Sequence, residues 1–134
     1  FPTRRSSDLK FKCKFFIAGG SNDEDLIEQV MNSSIGKNCI SFSKMTIAET
    51  IPLISACQFY IGNDTGWGHI SSGLGLKSLF LFMDSPPSAY GIYSKNISII
   101  VPDGETIESC GHNTRGKDRI PVDKVLHKIL SLIN

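Results

Sequence analysis

Residues 60–75 read YIGNDTGWGHISSGLG, and this stretch decides the fold. The apolar run Phe59-Tyr60-Ile61 ends in Gly62-Asn63-Asp64-Thr65-Gly66. A helix pattern poor in large side chains follows from Trp67, with His69 one turn in and Gly75 closing it. The order is strand, polar turn, helix start. A helix N-terminus exposes unpaired N–H groups and the positive end of the macrodipole. In an α/β sheet such a turn sits at the carboxyl end of a strand, where ligands bind.

Downstream, residues 78–82 (SLFLF) form a continuous apolar run, as expected of a strand buried on both faces of a parallel sheet. Residues 84–88 (DSPPS) read as a loop, with Tyr90, Gly91 and Tyr93 after it, and 97–101 as a fifth strand. Residues 102–116 are polar and irregular. Pro121 then opens a helix at its first position, with Val122, Val125, Leu126, Ile129 and Ile133 as the buried stripe and Lys124, His127 and Lys128 outside.

Upstream, Thr46-Ile47-Ala48-Glu49 is a capping box that starts a helix through Ala56. Pro52 inside it is expected to kink or shorten it. Residues 12–18 read as a buried strand ended by Gly19-Gly20, 23–32 as a short amphipathic helix, and 39–42 as a second strand. This alternation predicts an α/β domain, a Rossmann-like doubly wound parallel sheet. Its βα turns at 19–23, 43–46, 64–69 and 84–87 share one edge. No internal repeat and no linker divides the chain.

Residues 1–9 (FPTRRSSDL) resemble a translated sequencing adapter and are set apart from the fold, leaving 10–134 as one domain whose natural beginning lies upstream. Without Arg4, Arg5 and Asp8 the formal charge falls from +1 to zero. A neutral domain has no electrostatic footprint for nucleic acid or an anionic membrane, so any phosphate recognition is local. A hydrophobic content of 40% with 20% charged residues belongs to a soluble globular protein. No apolar run approaches the roughly 20 residues that span a bilayer. Cys13, Cys39, Cys57 and Cys110 are scattered and form no CxxC pair, which reads as buried thiols in a reducing compartment. Cys110-x-His112 lacks the further ligands of a zinc site, and no metal is expected.

Asp64-Thr65-Gly66 admits three readings. It can be a plain helix cap and tight turn. It can be the hydrophobic-Asp-Thr-Gly triplet of an aspartic protease, but that wants a small residue after the glycine and an all-β surround; here Trp67 and helical flanks stand instead. It can be an anion site in which the Thr65 and Gly66 amides meet a phosphate. Asp64 would repel a phosphate, so beside one it is placed to accept from sugar hydroxyls. His69 lies one turn on, near the face of Thr65, and can donate to a sugar hydroxyl or a phosphate oxygen, or be a satisfied structural histidine. Tyr90 and Tyr93 can stack on a ligand or pack in the loop. Arg115, Lys117 and Arg119 can reach phosphates or be a solvated loop. Asp84 reads as a turn former rather than a base.

The pattern of an apolar strand, Asn63-Asp64-Thr65-Gly66-Trp67-Gly68-His69, a glycine-ended helix and a second apolar strand resembles glycosyltransferase family 9, the ADP-heptose:lipopolysaccharide heptosyltransferases. Gly19-Gly20, Met45-Thr46 and Leu74-Gly75-Leu76-Lys77 match it as well, and the resemblance covers residues 11–94. It implies a GT-B architecture, with this chain as the C-terminal, donor-binding half. Asp64, Thr65, Gly66 and His69 would then contact the diphosphate and sugar of an ADP-sugar. Met45 would lie against the adenine, and a side chain among residues 22–24, Asn22 or Glu24, would face the ribose. Transfer in that family is inverting and metal-free, and the acceptor is a saccharide or lipid-linked saccharide. The catalytic base is expected in an absent N-terminal half, so the piece is expected to be inactive alone. That half would also bring any peripheral membrane association, at the cytoplasmic face of the bacterial inner membrane. The usual Gly-Pro-Thr loop is replaced by Met83-Asp84-Ser85-Pro86-Pro87, which leaves the sugar open. A nucleotide-sugar epimerase and a non-catalytic nucleotide-binding module are the alternatives.

Overall fold

A computed structural model of the chain describes residues 13–133. The adapter-like residues 1–9 and the first residue of the expected 12–18 strand lie outside the described residues. The chain divides into two compact units, the first up to Ile47 and the second from Ala48. Each contains parallel strands with helices between them, the α/β class that the alternation predicts, and the strands are hydrogen-bonded in two sheets.

The first unit pairs β1 (Phe15–Ile17) with β2 (Cys39–Ser41) in parallel, Phe16 opposite Ile40. Between them runs α1 (Glu24–Met31), entered through a 3₁₀ turn, Ser21–Asp23. Phe16 stacks on Phe42 at 4.9 Å, and Ile27 is the buried residue of α1. Gly36 closes the helix exit, because a β-carbon there would collide with the Met31 carbonyl. Both strands are shorter than their apolar runs suggest. Cys13 is exposed and Cys57 half-buried, contrary to the reading of four buried thiols, whereas Cys39 and Cys110 are buried.

The second unit begins with the rest of α2 (Ile47–Ser55), which starts directly after Thr46. The helix runs through Pro52 without interruption, and Thr50 and Ile54 face inward. Next come β3 (Phe59–Asn63), α3 (Gly66–Gly73), β4 (Lys77–Leu81), α4 (Pro87–Tyr90), β5 (Ile97–Ile100) and α5 (Val122–Ile133). The sheet order is β3-β4-β5, all parallel, with Asn63 opposite Leu81 at the carboxyl edge. Leu79 and Phe80 in the central strand, and Phe82 just past it, are fully buried. Phe80, Phe82 and Cys110 form the core, with Tyr60, Ile97, Ile99 and Val101 packed around it.

Helix α3 lies close on this sheet because Gly68 has no side chain: a β-carbon would sit 2.7 Å from Phe80 Cζ and 2.9 Å from Tyr60 Cε1. The helix ends in a Schellman motif, with Gly75 at φ +89°, its N–H on the Ser72 carbonyl and the Leu76 N–H on Ser71.

Two expectations change. The DSPPS loop carries a one-turn helix, α4, with Pro87 in its first turn, where a missing N–H costs nothing. The expected stripe of α5 is only half-buried, and Val122 is 80% exposed. Lys124, expected outside, donates to the Val101 carbonyl at 2.9 Å and to Asp103 at 2.8 Å. Arg119 likewise serves the loop, donating to the carbonyls of Asp103 and Thr114 and to Glu105.

Candidate functional site

Strand β3 delivers Asp64, Thr65 and Gly66 at the carboxyl edge of the sheet, and α3 begins there. Thr65 is the N-cap residue, with extended backbone at φ −140° and ψ 165°. Its hydroxyl does not cap the helix; it lies 3.3 Å from Tyr60 Oη, which itself donates to the Asn63 carbonyl at 3.1 Å. Burial pushes the Tyr60 phenol up, the Thr65 hydrogen bond opposes this, and the Asp64 charge adds to it. The N-cap residue Thr65 therefore makes no side-chain cap hydrogen bond. At Gly66 a β-carbon would meet nothing within 4 Å, so the turn faces open space.

Asp64 and His69 form a pair, Nε2 to Oδ1 at 3.0 Å, with side-chain exposures of 13% and 37%. Ser85, in the turn after β4, donates to the other carboxylate oxygen of Asp64 at 2.8 Å. The parallel register brings these two turns to one edge, as the sequence predicts for 64–69 and 84–87. Cys110 sits behind them, its thiol 3.6 Å from the carbonyls of Phe82 and Ser85. The second His69 nitrogen, Nδ1, is 2.6 Å from Tyr93 Oη, and the ring stands edge-to-face on Phe80 at 5.4 Å. Tyr93, in the loop between α4 and β5, is 57% exposed and joined to the histidine. Among the described residues no such bond ties Tyr90 in.

Asp64, Thr65, Gly66 and His69, expected at the site, lie together, and Tyr60 and Ser85 join them. Ser85 has a positional signal, since it follows the strand adjacent to β3. Tyr60 has one too: it is an inward residue of β3 whose hydroxyl occupies the space over Gly62, where a β-carbon would come within 2.5 Å of it.

Asn22, Glu24 and Met45 all lie in the first unit. Asn22 is exposed in the 3₁₀ turn after β1, Glu24 is exposed at the start of α1, and Met45 is half-buried in the turn after β2. Asp23 is spoken for locally, accepting from the Gly20 N–H at 2.8 Å. Among the described residues no group of three histidine, cysteine or acidic side chains could hold a metal ion. No helix among them is long and apolar enough to cross a membrane.

A parallel α/β sheet with a carboxylate–imidazole pair beside a helix start has that pair on its carboxyl edge, the edge at which α/β domains bind ligands. A family model described as glycosyltransferase family 9 (heptosyltransferase) matches residues 9–118, and the chain belongs to that family. It is therefore a glycosyltransferase domain, of a family whose chemistry joins a nucleotide-sugar donor to a saccharide acceptor. No curated protein and no solved structure matches the chain.

Proposed function

We propose that the 64–69 turn binds the diphosphate and sugar of a nucleotide-diphosphate sugar, ADP-heptose by family, for inverting transfer to a lipopolysaccharide-type acceptor. The observation that supports this is the meeting of Asp64, Ser85, His69 and Tyr93 beside the start of α3, where the Thr65 hydroxyl makes no cap bond. The amides of Thr65 and Gly66 would receive the diphosphate, which gains from the helix dipole. Asp64 would accept from sugar hydroxyls. The carboxylate retains acceptor capacity beyond His69 and Ser85, because two oxygens offer about four lone-pair sites. An adenine and ribose role for Met45, Asn22 and Glu24 is proposed from the family alone. Action on such an acceptor at the cytoplasmic face of an inner membrane belongs to the same proposal.

Titration calorimetry with ADP-heptose tests it. Asp64→Ala and His69→Ala should each weaken binding by about 10- to 100-fold, the worth of one charge-assisted hydrogen bond, with the circular dichroism spectrum retained. Equal affinity in wild type and both variants would overturn the assignment.

A further inference from the structure

Both ring nitrogens of His69 are already engaged, and this bears on how the ring can meet an anion. The Asp64 carboxylate only accepts, so Nε2 carries the proton it shares with Oδ1 at 3.0 Å. In the neutral ring Nδ1 is then an acceptor, and the Tyr93 hydroxyl, 2.6 Å away, donates to it. Phosphate oxygens also only accept. In this arrangement His69 has nothing to offer a phosphate until Tyr93 leaves and Nδ1 gains a proton. The two partners differ in how firmly they are held. Asp64 is 13% exposed and tied by Ser85. Tyr93 is 57% exposed, on the segment between α4 and β5, next to Ile92 at 63%. Losing one exposed hydrogen bond weakens a state by only about 2- to 10-fold.

We propose that the Tyr93 hydroxyl holds on His69 Nδ1 the place of a phosphate oxygen, and that diphosphate binding displaces it while Nδ1 takes a proton from solvent. Tyr93 keeps its own proton, and His69 becomes an imidazolium between Asp64 and the phosphate. The groups facing the ring are Asp64 from the β3–α3 turn, Tyr93 from the segment before β5 and the Phe80 edge from β4, with Tyr60 of β3 behind Phe80 at 5.7 Å. No lysine or arginine is bonded to this cluster among the described residues. The inference rests on the donor-site reading and adds to it a displaced residue and a bound proton.

The probe is ADP-ribose, whose diphosphate does not titrate near neutral pH. Calorimetry in two buffers of different ionisation enthalpy should show a proton taken up as the ligand binds. Tyr93→Phe should keep the proton uptake and bind about 2- to 10-fold tighter, its competitor hydroxyl being gone. Binding without proton uptake, or weaker binding by Tyr93→Phe, would overturn the displacement while leaving the donor site standing. No binding by wild type would remove both. Nitrogen-15 histidine spectra of wild type give a check that needs no variant. His69 Nδ1 should be unprotonated in the free protein and protonated with the probe; a ring unchanged by the probe would contradict the proposal.

Discussion

The Ser85 hydroxyl donates to Asp64 Oδ2 across 2.8 Å, although the two residues stand 21 positions apart. The bond ties the turn after β4 to the turn after β3 and holds the carboxylate with Oδ1 toward His69. Ser85→Ala should therefore cost about 1 kcal/mol in urea denaturation and lower donor affinity less than Asp64→Ala does. An affinity loss in Ser85→Ala equal to that of Asp64→Ala would mean that Ser85 touches the ligand itself.

Two glycines of α3 separate packing from binding. At Gly68 a β-carbon would lie 2.7 Å from Phe80, so Gly68→Ala should destabilise by about 1–3 kcal/mol through overpacking. At Gly66 a β-carbon meets no protein atom within 4 Å, so Gly66→Ala should leave the melting temperature unchanged or slightly raised. If a diphosphate approaches that backbone, the same variant should lose about tenfold or more in donor affinity. Thermal melts and calorimetry on the pair read both effects.

The strand, turn and helix of residues 59–75 are legible because each piece has its own local signal. An apolar run meets two turn glycines, and Gly75 supplies the left-handed cap that an L side chain resists. Asp64, Thr65 and His69 are legible as one turn because they lie within six residues at a helix start, whereas the bond from His69 to Asp64 rather than to the Thr65 side is visible only in the structure. The Tyr93 and Ser85 contacts are not legible in this way. They depend on tertiary contacts across 24 and 21 residues, and only the register of β3 against β4 brings the second to its place. Helix α4 escapes a periodicity reading because four residues are too few to show a period. The half-burial of α5 escapes it because an apolar stripe says which face turns inward, not how completely that face is covered.

Tyr60 predicts a pH dependence of stability. Burial first, and the Asp64 charge beside it, raise its folded-state value above the ordinary phenol value of 10.0. Stability tied to the neutral phenol is then fully present below pH 10 and is lost as pH rises through the folded value. Tyr60→Phe should be about 1 kcal/mol less stable than wild type at neutral pH, from the lost bond to the Asn63 carbonyl. That gap should narrow above pH 10, since wild type alone carries this titration. Urea titrations across that range check it.

The cysteines should react unequally. Cys13 is exposed, whereas Cys110 is 3% exposed, and its burial pushes the thiol up against the opposing hydrogen bond from Thr114. A thiol reagent at neutral pH should label Cys13 at once and Cys110 only as the protein unfolds. Mass spectrometry of timed samples distinguishes the two.

The central claim is that the 64–69 turn receives the diphosphate and sugar of the donor. Backbone amide spectra during a titration with ADP-heptose test it most directly. The account predicts saturable shifts centred on Thr65, Gly66, Trp67 and His69, with Ser85 and Tyr93 moving at the same ligand concentrations. Saturable shifts that leave these residues still, or no shifts at all, would contradict it.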